Sequence, residues 1–340
     1  NLLLPHKKLS DTGVYLYMTM IPYDEALSKW ALHKKSAVEQ GNRLISAGIA
    51  AQRKDIWLRG DLMKDCNNRI EYTYCRECGS MHIRKTNLCR DRLCPVCNWR
   101  LSLQRIGDTL QVLDYLQQTR GEIRAAMLTL TVKNVPAAEL GDTITTMLRG
   151  WDRLLKRRNV QKWVAGYARS LELTLGSDGS YHPHIHVFII WAAGYKKDIS
   201  QREWTDMWKA AVEADYKFII VDIRSAYSRM KAESEWEKLV QATLECTKYA
   251  VKSKALLAIP EHDLIAVADA LKGRRLISYG GCIRQARVAL RMPAGDEAAA
   301  DVYDTSIECP KCGCTDTVIM AYHWAQSTGQ YLLAPHPYDI

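Results

Sequence analysis

Short segments of the chain alternate apolar and polar residues with a period of two, the pattern of a β-strand with one buried face. Between residues 125 and 132, Leu128 and Leu130 alternate with Thr129 and Thr131. We therefore predict a strand whose leucines pack into a core and whose threonines lie on the opposite face.

A second alternating segment, 167–175, is followed by a Gly-Ser-Asp-Gly turn and by a third, largely apolar segment. Turn residues between two strand-like runs predict a β-hairpin. In the second strand of this hairpin, His184 and His186 are two residues apart, so both side chains lie on one face. If the leucines of the first strand enter the core, Glu172 falls on the histidine face.

The two histidines predict a site for a divalent cation. Imidazole is a common metal ligand, and Glu172 would complete a set of three ligands that leaves positions for water or substrate. Hydrogen-bonded histidines at a sheet edge and an exposed glutamate are the alternatives. His182 could pair with His184 instead, but the intervening proline belongs at the start of a strand. We therefore predict His184 and His186 as the ligands, with His182 beside them as the replacement ligand.

A period of about 3.6 residues predicts helices around these strands. Residues 1–70 are predicted to be mainly helical, with breaks at Gly41 and Gly60. The other predicted helices cover 105–119, 138–158, 201–214 and 234–256, and a further strand covers 218–223. This mixture indicates the α+β class, and 340 residues suffice for two or three domains.

The predicted helix 234–256 has two different faces. Its apolar stripe consists of Trp236, Val240, Leu244, Thr247 and Val251. Roughly opposite this stripe, Glu245, Tyr249 and Lys252 follow one another at helical spacing. Taken alone, such a row of polar side chains is most simply a solvated face.

The charge of the chain favours nucleic acid as a partner. Its 47 lysines and arginines exceed 38 aspartates and glutamates, for a net charge of +9. The predicted DNA-binding side chains are Arg149, Arg153, Lys156, Arg157 and Arg158. Trp151, Trp163 and Tyr167 lie among them, which suits a groove for phosphates and unstacked bases, although a basic run can be merely a solvated helix face.

The apolar stretches are far shorter than a membrane span, and no signal-peptide pattern opens the sequence. We therefore expect a cytoplasmic protein without a membrane partner.

Eleven cysteines are present, several of them in C-x-x-C pairs, which in an intracellular protein indicate zinc. We predict one structural zinc site formed by two such pairs, Cys75 with Cys78 and Cys94 with Cys97. Buried thiols without a metal are the alternative. Candidates to replace a ligand are Cys89 and His82.

A third pair, Cys309 and Cys312, lacks an obvious second half. If it binds a second zinc, the remaining ligands could come from Cys66, Cys282 or His323.

The three motifs of HUH endonucleases resemble three segments of this chain, in the same order: Leu128-Thr129-Leu130-Thr131, His184-Ile185-His186 and Lys248-Tyr249-Ala250-Val251-Lys252. The resemblance covers about residues 70–255 and is strongest to the single-tyrosine replication initiators of small rolling-circle plasmids. These initiators typically have a Cys-Pro-x-Cys segment before the first motif, as at 94–97, and a glutamate four residues before the tyrosine, as at Glu245.

The resemblance implies a fold with a central antiparallel sheet of about five strands, flanking helices and a Cys-rich zinc-binding segment. It implies that Glu172, His184 and His186 hold Mn²⁺ or Mg²⁺, and that Tyr249 attacks single-stranded origin DNA to form a 5′-phosphotyrosine. Lys252 would stabilise phosphate or phenolate, and Glu245 would assist a hydrolytic termination step.

Plasmid origin DNA, a host helicase and the host replication machinery are the implied partners. On this basis we divide the chain into a helical region (1–70), a zinc-binding segment (71–105), an HUH endonuclease domain (106–256) and a C-terminal region with a basic patch and the third cysteine pair (257–340). An HUH transposase or relaxase, or a zinc-stabilised DNA-binding regulator without catalytic activity, are the rival interpretations.

Overall fold

The computed structural model describes residues 23–195, 199–216, 219–226, 234–247, 253–292, 302–303, 306 and 308–334. The α-helices in these ranges are α1 (Tyr23–Ala50), α2 (Lys54–Asp65), α3 (Pro95–Arg120), α4 (Leu140–Leu155), α5 (Arg158–Trp163), α6 (Gln201–Ala211), α7 (Glu235–Thr247), α8 (Ser253–Ala258), α9 (Leu264–Leu271) and α10 (Gly281–Ala289). The strands are β1 (Arg69–Cys75), β2 (Met81–Thr86), β3 (Ala125–Thr131), β4 (Val164–Leu175), β5 (Tyr181–Trp191), β6 (Val221–Ser225), β7 (Ile277–Gly280), β8 (Val302–Tyr303), β9 (Thr317–Ala325) and β10 (Gln330–Leu333).

Five antiparallel strands form a central sheet in the order β6-β3-β5-β4-β7. The predicted hairpin is confirmed, because β4 and β5 pair with Glu172 opposite His184. On the other side of β5, β3 pairs with Thr129 opposite His186. The protein therefore has the predicted α+β architecture, with the histidine strand at the centre of a five-stranded sheet.

The two faces of the central sheet carry different residues. Leu128, Leu130, Ile185 and Val187 are fully buried on one face, in a core that they share with residues of α4, α6 and α9. At about 25 cal/mol per Å² of apolar surface, each such side chain stabilises the fold by roughly 1.5–3 kcal/mol. The strict alternation of β3 and β5 thus directs the intervening threonines and histidines to the other face.

On this histidine face, helices α3, α7 and α10 cover the half that contains Phe188 and Ile190. Of the apolar stripe predicted for α7, Trp236 packs against this core while Val240 is half-buried. Among the helix side chains that the structure describes, the buried ones are Leu239, Ala242 and Thr243, so the buried face is rotated from the predicted stripe. The other stripe residues, Leu244, Thr247 and Val251, lie outside the described side chains.

The predicted helix breaks at Gly41 and Gly60 are also wrong, because both glycines lie inside helices, in α1 and α2. A Cβ atom on Gly60 would lie 2.5 Å from the carbonyl oxygen of Gly41, and a Cβ atom on Gly41 would lie 2.7 Å from the carbonyl oxygen of Gly60. The glycines therefore allow the two helices to cross with their backbones in contact.

A second five-stranded sheet has the order β10-β9-β1-β2-β8. Strand β1 pairs with β2, which follows it in sequence, and with β9, in which Thr317 lies opposite Cys75. The structure thus joins part of the Cys-rich segment to the C-terminal region, which the sequence analysis treated separately. Among the described helices, none is long and apolar enough to cross a membrane.

Candidate functional site

Glu172, His184 and His186 meet on the histidine face of the central sheet, and we call them the cation cluster. The Oε2 atom of Glu172 lies 3.3 Å from Nε2 of His184 and 3.1 Å from Nε2 of His186. One ligand atom from each residue lies within 4.8 Å of the other two. Cross-strand pairing produces this arrangement, because β4 and β5 place Glu172 and His184 directly opposite each other.

The hydrogen bonds of the outer imidazole nitrogens suit a metal site. Nδ1 of His184 donates to the carbonyl oxygen of His182, at 3.2 Å. A neutral His184 ring then has its lone pair on Nε2, facing the carboxylate of Glu172. Two acceptors in contact require a proton or a cation between them. Nδ1 of His186 lies 3.1 Å from the hydroxyl of Thr129, and contacts of this kind hold the rings of metal-binding histidines in position.

The carboxylate of Glu172 is held in its charged form. Burial raises its pKa, but where a proton occupies these contacts, hydrogen bonds from His184 and His186 outweigh burial and keep the pKa well below the usual value. The side chain of Glu172 is 13% exposed and that of His186 is 23% exposed. Two nitrogens and an anionic oxygen, partly open to solvent, form a donor set that fits a divalent cation with substrate or water as further ligands.

His182 lies beside the cation cluster but outside it. Its ring centroid is 5.4 Å from that of His184, and its Nδ1 hydrogen-bonds to Oδ1 of Asn134 at 2.6 Å. Burial and the neighbouring His184 lower the pKa of His182, which favours the neutral ring.

Cys66, Cys89, Cys94 and Cys97 form cysteine cluster A. Sγ of Cys97 lies 3.6 Å from Sγ of Cys66 and 3.6 Å from Sγ of Cys89. Four sulfurs about 2.3 Å from a tetrahedral zinc ion would be roughly 3.8 Å apart, so the spacing fits zinc. Hydrogen bonds from the other thiols lower the pKa of Cys66, whereas burial raises that of Cys94. Four sulfurs this close together can bind a single cation.

Cysteine cluster B contains Cys75, Cys78, Cys309 and Cys312, again with ligand atoms within 4.8 Å of one another. The predicted single site of Cys75, Cys78, Cys94 and Cys97 is therefore wrong in its pairing. The two C-x-x-C pairs belong to different clusters, because β1 pairs with β9 and brings Cys309 and Cys312 to Cys75 and Cys78. The pair Cys94 and Cys97 instead lies at the start of α3, where Cys94 is the N-cap residue.

The proposed replacement ligands divide in the same way. Cys89 belongs to cluster A, whereas Nε2 of His82 lies 3.6 Å from Sγ of Cys309 in cluster B. Of the candidates to complete the third pair, Cys66 is in cluster A and Cys282 is buried on α10. His323 lies in β9 opposite Arg69 and belongs to neither cluster.

Comparison with known proteins gives a consistent result. Residues 80–332 match the model of a family described as Replication protein. The chain belongs to this replication protein family. Relatives include Protein rep of Lentilactobacillus hilgardii, 33% identical over 258 residues that cover 74% of this chain and 81% of the relative. Protein rep of Bacillus amyloliquefaciens is 31% identical over 292 residues, covering 81% of this chain and 85% of the relative.

Protein rep of Streptococcus pneumoniae serotype 2 is 33% identical over 262 residues, covering 74% of this chain and 79% of the relative. No solved structure matches this member of the family. The matched segment contains the whole cation cluster and the C-terminal half of cysteine cluster B, but it begins after Cys66, Cys75 and Cys78.

Two of the predicted catalytic residues, Tyr249 and Lys252, lie outside the described residues. Glu245 lies in the last turn of α7. This helix packs on β3, β4 and β5 on the histidine face, so the described segment that precedes the third motif in sequence lies on the same side of the sheet as the cation cluster.

The predicted DNA-binding residues lie on the other side of the sheet. All five are exposed and lie in or next to α4 and α5: Arg149, Arg153, Lys156, Arg157 and Arg158. Arg153 forms an ion pair with Glu213 at 2.6 Å. Trp151 is 2% exposed and belongs to the core, and it packs edge-on against the half-buried Tyr167, with ring centroids 5.1 Å apart. The prediction of Trp151 as a base-stacking residue is therefore wrong.

Sequence reasoning missed the roles of two side chains near the histidines. The Thr129 hydroxyl contacts His186, and the Asn134 side chain contacts His182. The alternation of β3 placed Thr129 on the histidine face, but only the register between β3 and β5 identifies His186 as its neighbour.

Proposed function

We propose that this replication protein initiates plasmid replication by cutting one strand of origin DNA through a covalent tyrosine intermediate. The observation that carries the proposal is the cation cluster on a sheet face that α7 also covers, and the third motif follows that helix in the sequence. Membership of the replication protein family and the HUH-like order of the three motifs support the same activity.

Distances along the chain are compatible with this arrangement. Thr243 of α7 lines a small cavity with Phe188 and Ala168, a cross-strand pair on the histidine face. Phe188 is two residues from His186, or about 7 Å along a strand. Tyr249 follows Thr243 by six positions, which span roughly 9 Å as a helix and 20 Å when extended.

Each residue has a distinct proposed role. Mn²⁺ or Mg²⁺ held by Glu172, His184 and His186 would polarise the scissile phosphate. The phenol of Tyr249, with an ordinary pKa of about 10, must lose its proton to attack phosphorus. The bond from phosphorus to the 3′-oxygen then breaks, which leaves a 5′-phosphotyrosine and a 3′-hydroxyl that primes synthesis. Lys252 would stabilise the phosphate or the phenolate.

Glu245 is proposed to act at the end of a replication round. As a general base it would take a proton from water, and the resulting hydroxide would cleave the DNA without forming a lasting adduct. Glu245→Ala should therefore keep the first cleavage and slow release after a single round. Unchanged release would contradict this role.

The five exposed cations at α4 and α5 cannot touch the nucleotide that the cation cluster binds, because α4 packs on the opposite face of the sheet. We assign them to the phosphate backbone of flanking DNA, where contacts position the protein without reading sequence. A host helicase and polymerase would act on the nicked product, and a structural Zn²⁺ in cysteine cluster A would order the start of α3.

The decisive experiment uses fluorescent single-stranded oligonucleotides that tile the DNA around the gene, incubated with the full chain and Mn²⁺. We expect a covalent adduct on a denaturing gel that disappears with a chelator and in Tyr249→Phe. Tyr115→Phe is the matched control, since Tyr115 packs against the covered half of the same sheet face and should leave the adduct intact.

Other outcomes would refute parts of the proposal. An adduct that persists in Tyr249→Phe would show a different nucleophile, and one that persists in chelator would exclude a role for the cation. Tight binding without any adduct would favour the catalytically inert regulator.

A further inference from the structure

We propose that cysteine cluster B binds a second structural Zn²⁺, separate from the one assigned to cluster A, and that this ion fixes the C-terminal strands to β1. The inference does not depend on the nicking mechanism. It rests on the spacing of four thiols, on the backbone around them and on the strands that carry them.

The sulfurs of cluster B are spaced for a tetrahedral ion. Sγ of Cys75 lies 3.6 Å from Sγ of Cys312, and Sγ of Cys78 lies 3.6 Å from Sγ of Cys309. Bonds of about 2.3 Å to zinc require sulfurs roughly 3.8 Å apart. Four thiolates select a soft or borderline cation such as Zn²⁺ over Mg²⁺ or Mn²⁺, so this cluster and the cation cluster would not compete for the same metal.

The two pairs of cluster B have the same backbone hydrogen bonds. The amide of Cys75 donates to the carbonyl of Ser80, five residues later, and the amide of Gly79 donates back to the carbonyl of Cys75. In the other pair, the amide of Cys309 donates to Cys314, again five residues later, and the amide of Gly313 donates back to Cys309.

Each loop needs a glycine directly after its second cysteine. Gly79 has a φ of 67° and Gly313 a φ of 73°, a conformation that other residues rarely adopt. By contrast, the pair of cluster A is followed by Asn98 inside a helix. Two matching loops that face each other with their thiols inward are the arrangement of a closed structural zinc site.

The strands explain what such an ion would do. Cys75 is the last residue of β1, and Cys309 and Cys312 precede β9 in the sequence. Every residue of β1 pairs with a residue of β9. The ion would close a loop of more than two hundred residues, and cross-links that close long loops restrict the unfolded chain most. It would also hold in place an outer sheet in which Leu332 and Leu333 are 43% and 55% exposed.

Cys314 provides a matched control for the ligand set. It lies two residues beyond Cys312, yet it is not part of cluster B, and its sulfur accepts the amide of Asp316 at 3.2 Å. His82 contacts Cys309 from within the sheet and is an imidazole that could replace a thiolate.

The test measures zinc bound to the full chain after removal of loosely held metal. We expect two zinc ions per chain in the natural protein and in Cys314→Ser, and one in Cys312→Ser. Cys97→Ser should also retain one, because it removes a ligand of cluster A. Cadmium NMR of the substituted natural protein should show two all-thiolate resonances, which requires no variant to fold.

Several results would overturn the proposal. One zinc ion in the natural protein, unchanged in Cys312→Ser, would show that cluster B binds none. Two zinc ions that persist in Cys312→Ser, or that fall to one in Cys314→Ser, would refute the assigned ligands. A single zinc accompanied by the loss of two titratable thiols would indicate a disulfide in cluster B instead.

Discussion

Thr129 and Thr131 form a matched pair for testing how the cation cluster is held together. Both lie in β3 on the histidine face, opposite His186 and His184 respectively. The hydroxyl of Thr129 contacts Nδ1 of His186 at 3.1 Å, whereas the hydroxyl of Thr131 donates to the carbonyl of Ile220 at 2.8 Å. Thr→Val keeps the shape of either side chain and removes only its hydroxyl.

The expected size of the effect follows from the contact. A hydrogen bond of this kind contributes about 0.5–1.5 kcal/mol, and 1.36 kcal/mol corresponds to a factor of ten. Loss of a side chain that hydrogen-bonds to a metal-binding histidine typically weakens metal binding about 10–100-fold. His186 is 23% exposed, so water can replace part of the lost interaction. We therefore expect Thr129→Val to weaken Mn²⁺ binding by about tenfold.

Thr131→Val should leave Mn²⁺ affinity unchanged and cost about 1 kcal/mol of folding stability. The carbonyl of Ile220 still accepts the amide of Thr131 in that variant. Electron paramagnetic resonance of free Mn²⁺ gives the affinity without any DNA, and the Mn²⁺ dependence of adduct formation should shift by the same factor. Equal Mn²⁺ titrations for Thr129→Val and the natural protein, or an equal shift in both variants, would refute the reasoning.

Further variants test the helix crossing, the basic surface and a half-buried histidine. Gly60→Ala should lower the free energy of unfolding in urea by about 1–3 kcal/mol, because the added Cβ meets the backbone of the other helix. In the control Gly141→Ala, the added Cβ has nothing closer than 3.8 Å, and the free energy of unfolding should rise by up to about 1 kcal/mol. Similar values for both variants would contradict the close crossing of α1 and α2. The double variant Arg157→Ala/Arg158→Ala should lower the slope of log affinity against log salt by about 1.8 for duplex DNA, and an unchanged slope would exclude these two phosphate contacts. Burial lowers the pKa of His33 to about 4, so the unfolded chain takes up a proton that the folded chain does not, and stability is lost as pH falls from about 6.5 towards 4. Over this pH range, His33→Phe should lose less unfolding free energy than the natural protein does. Parallel pH profiles of the unfolding free energy for the two proteins would disprove this role of His33.

The hairpin of the cation cluster was predictable from sequence because its determinants are local. Alternation in β4 and β5 fixes which side chains share a face, and the short turn between them fixes the register. Glu172 and His184 are consequently opposite each other, as expected. The hydrogen bond from Thr129 required the pairing of β3 with β5, which no local pattern specifies.

The cysteine pairing could not be deduced from spacing alone. Cys78 and Cys94 are close in sequence, but β1 takes β9 as its partner and so brings Cys309 to Cys78. A sequence signal did exist in the glycines at 79 and 313, each directly after a C-x-x-C pair. The absence of such a glycine after Cys97 separates that pair from the other two.

The glycines of α1 and α2 illustrate a different limit. Glycine inside a helix costs about 1 kcal/mol relative to alanine, which is why Gly41 and Gly60 predicted breaks. In the folded protein each accommodates the backbone of the other helix. That benefit arises only from packing between two helices and is invisible in either helix alone.

The pairing of β1 with β9 sets an order for folding during synthesis. Cysteine cluster A is complete once residue 97 has left the ribosome, but β1 receives its second neighbour only after Ala325 has been made. At roughly 5–20 residues per second, the interval is on the order of 10–50 s. Throughout that time one edge of β1 has no strand to pair with, and unpaired edges recruit other chains. A chain released before β9 has been made would therefore keep this edge open, so the synthesis of β9 is also the step that protects the protein from aggregation.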